Sequence, residues 1–235
     1  MPDFYKEILK YIEKNSARFA RKTYETYLAH VSKLRQYAPY MRCSQIDETY
    51  LIGYTEFMRK RGNREGTVYR SLSILRMFIR VLHRQGKIVK DPTQNFPLRR
   101  ARTRHQFLEV DELAKLYRNF LRNAKDITSS EREALRTFLF SCFTGLRYAD
   151  LKNLCGQDLQ GGKIRMYTHK TGALVYIPVP KQALALLQTG ARSQQKSCEL
   201  VAPLLHVIDN STFNKRLRSG AKKLGCNRYL HTPPG

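Results

Sequence analysis

The sequence predicts a mainly α-helical chain with one small antiparallel β-hairpin, set in the second of two parts. Three observations carry this. Apolar residues recur at steps of three and four through residues 1–90, the period of a helix with one buried face. Two β-rich runs, I-R-M-Y-T and A-L-V-Y-I-P-V, flank the short turn H-K-T-G, which is a hairpin pattern. Between the two parts, D-P-T-Q-N-F-P-L at 91–98 breaks the helical period with two prolines, and R-R-A-R-T-R follows. The expected organisation is therefore a helical first domain over 1–90, a flexible basic linker over 91–106 and a mixed α+β second domain over 107–235.

Each element has its own signal. R-K-T-Y-E-T-Y-L-A-H-V-S-K-L places Tyr24, Tyr27, Leu28, Val31 and Leu34 on one helical face. The next helix runs from Asp47 through Met58 and stops near Arg61-Gly62-Asn63. T-V-Y-R-S-L-S-I-L-R-M-F-I-R-V-L-H-R carries a core stripe of Val68, Leu72, Leu75, Ile79 and Leu82. Arg76, Arg80 and Arg84 step by four beside that stripe, with Arg70 further round. One flank buries and the other offers a row of guanidinium groups. In the second part, F-L-E-V-D-E-L-A-K-L-Y opens a helix near Glu109. Ser130 followed by Glu133 has the capping-box spacing for the next helix. Leu135, Phe138, Leu139 and Cys142 form its buried side, and Gly145 ends it. Lys170 sits at the tip of the hairpin. K-Q-A-L-A-L-L and S-T-F-N-K-R-L-R-S-G-A-K-K-L-G read as further helices.

Composition narrows the function. The 235 residues hold 43 Lys+Arg against 19 Asp+Glu, a formal net charge of +24, and are 42% hydrophobic, enough for a core. Residues 1–100 carry 21 basic and 9 acidic side chains, and 101–235 carry 22 and 10. Both parts are equally basic, as two domains facing one polyanion would be. Such a charge repels itself unless a polyanion neutralises it. A nucleic acid, DNA or RNA, is the expected partner, double-stranded DNA being the form that a basic linker between two basic domains can wrap; a generic basic protein of ribosomal type is the blander reading. Thr67 and Arg70, opening the basic helix, are the expected base readers. Arg76, Arg80, Arg99, Arg100, Arg102 and Arg104 are the expected phosphate contacts.

Five scattered cysteines without a C-x-x-C pair predict no metal site and suit a reducing cytoplasm. The N-terminal M-P-D-F-Y-K-E-I-L-K has no long apolar run, so no signal peptide is expected. No stretch approaches the ~18 apolar residues that span a membrane. The expectation is a cytoplasmic protein with no membrane partner.

The most pointed stretch is T-G-L-R-Y-A-D-L at 144–151. An arginine just past a glycine turn, at the end of a buried helix, is held by rigid backbone. Arg147 could donate two N–H groups to one phosphate. If that phosphate is attacked, a preorganised guanidinium favours the transition state. Lys170 could hold the same phosphate or protonate a leaving oxygen. From the residues alone this is a two-domain nucleic-acid-binding protein with a candidate phosphoryl site.

T-G-L-R-Y-A-D-L-K-N-L resembles the first catalytic-arginine box of the tyrosine recombinases, the phage and transposon integrases and their resolvase relatives. F-L-E-V-D-E-L is similar to the helix that opens the catalytic domain of that family. K-T-G-A-L-V-Y-I-P is similar to its lysine hairpin, and S-T-F-N-K-R-L to the helix after it. The resemblance covers nearly the whole chain and is strongest to mobile-element integrases of Bacteroides-like bacteria. It implies a helical, SAM-like core-binding domain over 1–90 and a catalytic domain over 107–235. It implies strand cleavage through a 3′-phosphotyrosine, rejoining by a free 5′-hydroxyl, and no metal or nucleotide cofactor. It assigns Arg147 as the first arginine, Asp150 as the acidic residue that supports the site, and Lys170 as the acid.

The family pattern continues with H-x-x-R, a His or Trp, and the tyrosine. Here the chain reads G-C-N-R-Y-L-H-T-P-P-G. His231 is the candidate first histidine, with Pro234 where arginine belongs. Tyr229 precedes His231, on the wrong side for a nucleophile, so no nucleophile is assigned. The expectation is an incomplete catalytic domain that binds DNA without cleaving it alone. Two readings stay open: an incomplete recombinase, and a naturally shortened DNA-binding regulator of recombination sites. Apolar surface left bare would favour self-association or pairing with an intact recombinase. The K-T-G box of penicillin-binding enzymes is set aside, because S-Q-Q-K at 193–196 follows it where that family's S-x-x-K precedes. No phosphate-loop motif is present.

Overall fold

A computed structural model describes residues 2–100, 107–122, 125–191 and 203–231. The predicted class holds: helices dominate, and one three-stranded antiparallel sheet lies in the second part. The chain divides into two compact units, residues 1–104 and 105–235, each with its own core. Among the described residues no helix is long and apolar enough to cross a membrane.

The first unit packs four helices: α1 (Phe4–Lys14), α2 (Arg21–Tyr37), α3 (Glu48–Lys60) and α4 (Glu65–Arg84). Aspartates start two of them, Asp3 accepting from the Lys6 N–H at 2.8 Å and Asp47 from the Tyr50 N–H at 2.7 Å. The α4 stripe Val68, Leu72, Leu75, Ile79 and Leu82 is buried as its spacing predicts. It packs with Phe4, Tyr5, Ile8 and Ile12 of α1 and with Val31 and Leu34 of α2. The Tyr5 hydroxyl reaches the carbonyl oxygens of Leu34 and Ala38, which ties α1 to the end of α2.

The stretch 91–98, read from the sequence as linker, is packed on this unit. Thr93 is buried, and Phe96 and Leu98 lie against the core. Asp91 accepts from the backbone N–H and the hydroxyl of Thr93, at 2.8 and 2.6 Å. Helix α4 has already ended at Arg84, before either proline, and Phe96 and Leu98 flank Pro97 with the apolar side chains that seat the stretch. Residues 101–106 lie outside the described residues.

The second unit is built on α6 (Ser129–Thr144), which is buried along most of its length and packs against α8 (Lys181–Ala191) and α9 (Asn210–Lys223). Its cap differs from the predicted one: Thr128 and Glu131 form the capping box, two residues before Ser130 and Glu133. Both pairs have the same spacing, but Glu131 also meets α9. Its carboxylate accepts from the Ser219 hydroxyl at 2.6 Å and from Lys223 Nζ at 2.9 Å. The helices approach closely at Gly220, where a Cβ would stand 2.8 Å from Leu135 Cδ1. Cys142 is exposed rather than core. It shares a helical face with Phe138 and Leu139, but its own side of the last turn is open, while Phe143 and Thr144 beside it are packed or buried. The remaining helices are α5 (Val110–Arg122) and the short α7 (Tyr148–Asn153).

The sheet runs β1 (Leu159–Gln160), β2 (Lys163–Tyr167), β3 (Leu174–Pro178), in that spatial order. β2 and β3 form the predicted hairpin, with Ile164 opposite Ile177 and Met166 opposite Val175 turned towards the core. The intervening side chains face solvent, the period-two alternation of a half-buried sheet.

Candidate functional site

Arg147 is placed by the end of α6. The Gly145 N–H closes the helix on the Ser141 carbonyl at 2.8 Å, and Gly145 takes φ 70°, the left-handed conformation that glycine adopts without strain. The chain reverses there. Leu146 plugs into the core, and the Ser141 hydroxyl donates to its carbonyl at 2.9 Å. Arg147 comes next, as the N-terminal cap of α7. Its carbonyl accepts the Asp150 and Leu151 N–H groups, each at 3.0 Å. The backbone is thus fixed on both sides, while the guanidinium is exposed and meets no carboxylate or carbonyl among the described residues.

Asp150, one helical turn on, is not an ion-pair partner of Arg147. It is 2% exposed, and its Oδ1 accepts the backbone N–H of His169 at 2.7 Å. His169 lies in the turn of the hairpin, next to Lys170. That turn is internally tied. Thr168 N–H donates to the Ala173 carbonyl and Gly172 N–H to the Thr168 carbonyl, both at 2.9 Å. The Thr168 and Thr171 hydroxyls are 2.7 Å apart, and Gly172 has φ 64°. Lys170 itself is exposed and unpaired among the described residues. One buried carboxylate therefore joins the helix that begins at Arg147 to the turn that carries Lys170. Removing it with Asp150→Ala should leave the His169 amide without its buried acceptor. Its hydrogen exchange is expected to accelerate about ten-fold or more, as loss of a charge-assisted bond implies. An unchanged rate would show that the turn holds itself.

Two exposed cations on elements joined by one hydrogen bond offer complementary phosphate chemistry. The guanidinium suits bidentate contact with non-bridging oxygens, and the ammonium suits a single oxygen or proton donation. His231, the third candidate, is not joined to this pair by any described hydrogen bond or ring contact. It lies 6.1 Å from the Tyr229 ring, and Arg218 Nη1 donates to the Tyr229 hydroxyl at 2.6 Å. The residue after Arg147, Tyr148, meets the start of α9. The Tyr148 hydroxyl donates to the Ile208 carbonyl, and its ring meets Phe213 edge-on at 5.3 Å.

In the first unit, α2 and α4 enclose an open groove of about 630 Å³. Lys22, Thr23 and Thr26 line it from α2, Tyr69 and Arg70 from α4, and Arg100 from the segment beyond. Among the described residues no carboxylate lines it. His30, on α2, is pushed down to about 4 by burial and by the nearby charges of Lys33 and Arg70, so it stays neutral at pH 7. Of the predicted binders, Arg70 and Arg100 line this groove, and Thr67 is exposed in the first turn of α4. Arg76 and Arg80 are engaged elsewhere. Arg76 Nη2 donates to the Phe96 carbonyl at 2.7 Å, and Arg80 Nε stands 3.6 Å from Asp91. They hold the 91–96 stretch. Arg99 lines a separate groove with Glu48, Glu56 and Glu65. Arg102 and Arg104 lie outside the described residues. Lys22 and Thr26 were missed by sequence reasoning, although their four-residue step on the polar face of α2 was the available signal.

Residues 3–98 match the phage integrase SAM-like domain. The chain is 27% identical over 221 residues to a tyrosine recombinase XerC of Pseudomonas syringae pv. tomato, covering 89% of this chain and 72% of that protein. Among solved structures it resembles a lambda integrase dimer bound to a COC′ core site, with TM-score 0.75 and 18% identity, over 99% of this chain and 82% of that one. It also resembles the Tn1549 transposon integrase in complex with circular intermediate DNA, with TM-score 0.74 and 12% identity, over 99% and 82% of the two chains. At these identities the structural likeness is one of fold.

Proposed function

This chain belongs to the tyrosine recombinase/integrase family, and from that premise we propose that it serves site-specific DNA recombination by gripping a phosphodiester with Arg147 and Lys170. The observation that carries the proposal is the Asp150–His169 hydrogen bond, which joins two exposed, unpaired cations across two elements. In the family's reaction a tyrosine, for which no residue of this chain is assigned, gives up its hydroxyl proton to a base as its oxygen bonds to phosphorus, and the bond to the 5′-oxygen breaks. Arg147 balances charge growing on the non-bridging oxygens. Lys170 gives its proton to the departing 5′-oxygen. Asp150 orients the hairpin and does not touch the DNA. Strand rejoining runs the same steps backward, so the bond energy stays in the covalent link.

The polypeptide of these 235 residues contains no H-x-x-R sequence. We read it as binding duplex DNA at recombination sites without cutting it by itself, in the bacterial cytoplasm and in the setting of a mobile element. The lambda integrase structures that this fold resembles include a dimer bound to a COC′ core site and a tetramer bound to a Holliday junction. We infer that this chain self-associates on DNA or pairs with a complete recombinase, a reading that the likeness supports.

Anisotropy titration on a fluorescent duplex tests the reading. Log affinity is expected to fall steeply with log salt, with slope about −0.9 per phosphate contact. Arg147→Ala should weaken affinity only a few-fold and lower the slope by about 0.9, because it removes one phosphate contact among several. A flat salt dependence would remove DNA from the proposal. A covalent 3′-phosphotyrosyl adduct on nicked DNA would overturn the non-cleaving part alone.

A further inference from the structure

The solvent side of the β2–β3 hairpin is unusual for a bare sheet face. Three cross-strand pairs occupy it: Lys163 with Pro178, Arg165 with Tyr176, and Tyr167 with Leu174. Tyr167 is 68% exposed and Tyr176 61%, and Leu174 lies open beside them. The two tyrosines are diagonal neighbours, a relation that brings long or aromatic side chains within reach of one another. Arg165 lies over the Tyr176 ring at 5.9 Å from its centroid, and its Nε donates to the Tyr176 hydroxyl at 3.2 Å. Neither strand carries a carboxylate. The opposite side of the same strands is core, so the hairpin is anchored and this face is rigid.

We propose that this face is a stacking platform for unpaired DNA, on which the bases of a displaced single strand lie against Tyr167 and Tyr176 while Lys163 and Arg165 meet its phosphates. Every base has a π-face, so stacking on a ring needs no particular sequence, and cations beside the rings follow the backbone. A duplex gives no such face, because its bases stack on each other. A second copy of this chain is a poor occupant, because two such faces would bring Lys163 and Arg165 against their own kind with no acid between. The proposal rests on the reading that the chain acts on DNA. Lys170 lies three residues beyond Tyr167, so a strand whose phosphate it grips has this face close at hand.

The test measures anisotropy of three labelled probes of equal length with the whole chain: oligo-dT, an abasic strand carrying the same phosphates, and a mixed-sequence duplex. The variants are Tyr167→Ala with Tyr176→Ala, and Tyr167→Phe with Tyr176→Phe. The alanine pair is expected to bind oligo-dT about ten-fold or more weakly, because two rings no longer stack on bases. The phenylalanine pair should keep the parent affinity, and both should bind duplex within about two-fold of the parent. The abasic strand should bind parent and alanine pair alike. Unchanged oligo-dT affinity in the alanine pair overturns the platform, as does equal weakening on all three probes. Parent protein that binds duplex but not oligo-dT also overturns it and leaves the DNA reading standing. Parent protein that binds neither removes both. An oligomeric state that changes in the alanine pair without DNA, by sedimentation, reassigns the face to a protein contact.

Discussion

Glu131→Ala is expected to destabilise the second unit by about 3 kcal/mol at neutral pH, the scale of a missing helix cap together with a missing charge-assisted hydrogen bond. The 4%-exposed carboxylate has four donors: the backbone and hydroxyl of Thr128, the Ser219 hydroxyl and Lys223 Nζ. Burial alone would raise its pKa, but the bonds from Ser219, Lys223 and Thr128 outweigh burial and hold it near about 2, against a usual 4.5. A carboxylate depressed on folding stabilises the fold above its unfolded pKa, and that stabilisation is lost as the pH falls through the folded value. The gap between parent and variant should therefore be full above about pH 4.5 and close as the pH falls towards 2. The chain has no tryptophan, so urea unfolding followed by circular dichroism is the measurement. A gap that stays constant from pH 7 to pH 2 would mean that the side chain acts through packing and not through charge.

Removing the three cations of the α2–α4 groove together, Lys22→Ala, Arg70→Ala and Arg100→Ala, is expected to weaken duplex binding by about a hundred-fold or more near 0.1 M salt. The log–log salt slope should fall by about 0.9 for each phosphate that the variant no longer neutralises. Among the described residues the groove has no acid on its walls, so none of them already neutralises these charges. Arg76→Ala with Arg80→Ala makes the contrast. Those guanidiniums hold Phe96 and Asp91, so the pair should lower the stability of the first unit and leave the salt slope nearly unchanged. Equal slopes in the triple variant and the parent would move the interface to another face. A reduced slope in the Arg76/Arg80 pair would restore the row of arginines that helical spacing suggested.

That contrast indicates what a sequence carries and what it does not. Spacing identified the α4 stripe, the break at Gly62 and the glycine that ends α6, because each depends on neighbours within a turn or two. The same spacing set Arg76 and Arg80 side by side, but it holds no information about Asp91 and the Phe96 carbonyl folding back onto them. The capping box slipped by two residues for a similar reason. Thr128 and Ser130 are equally good caps locally, and the choice falls to Glu131 through α9, about ninety residues on in the chain. Cys142 obeyed the period of α6 and still lies exposed, since a period gives a direction and not the presence of something to pack on. At the candidate site, Arg147 and Lys170 stood out by their turns. The role of Asp150 did not, because a side chain that accepts a backbone N–H from another element leaves no local pattern.

The Asp150–His169 bond has a consequence for motion. Two groups mounted on separate loops wander independently, and the variance of their separation is the sum of both variances. Arg147 and Lys170 are mounted on backbones braced to each other through one short link. Displacements of the helix start and of the hairpin turn are therefore correlated, and the common part cancels from the distance between them. The pair can drift as a body while keeping its gauge, like two jaws cut from one piece of metal.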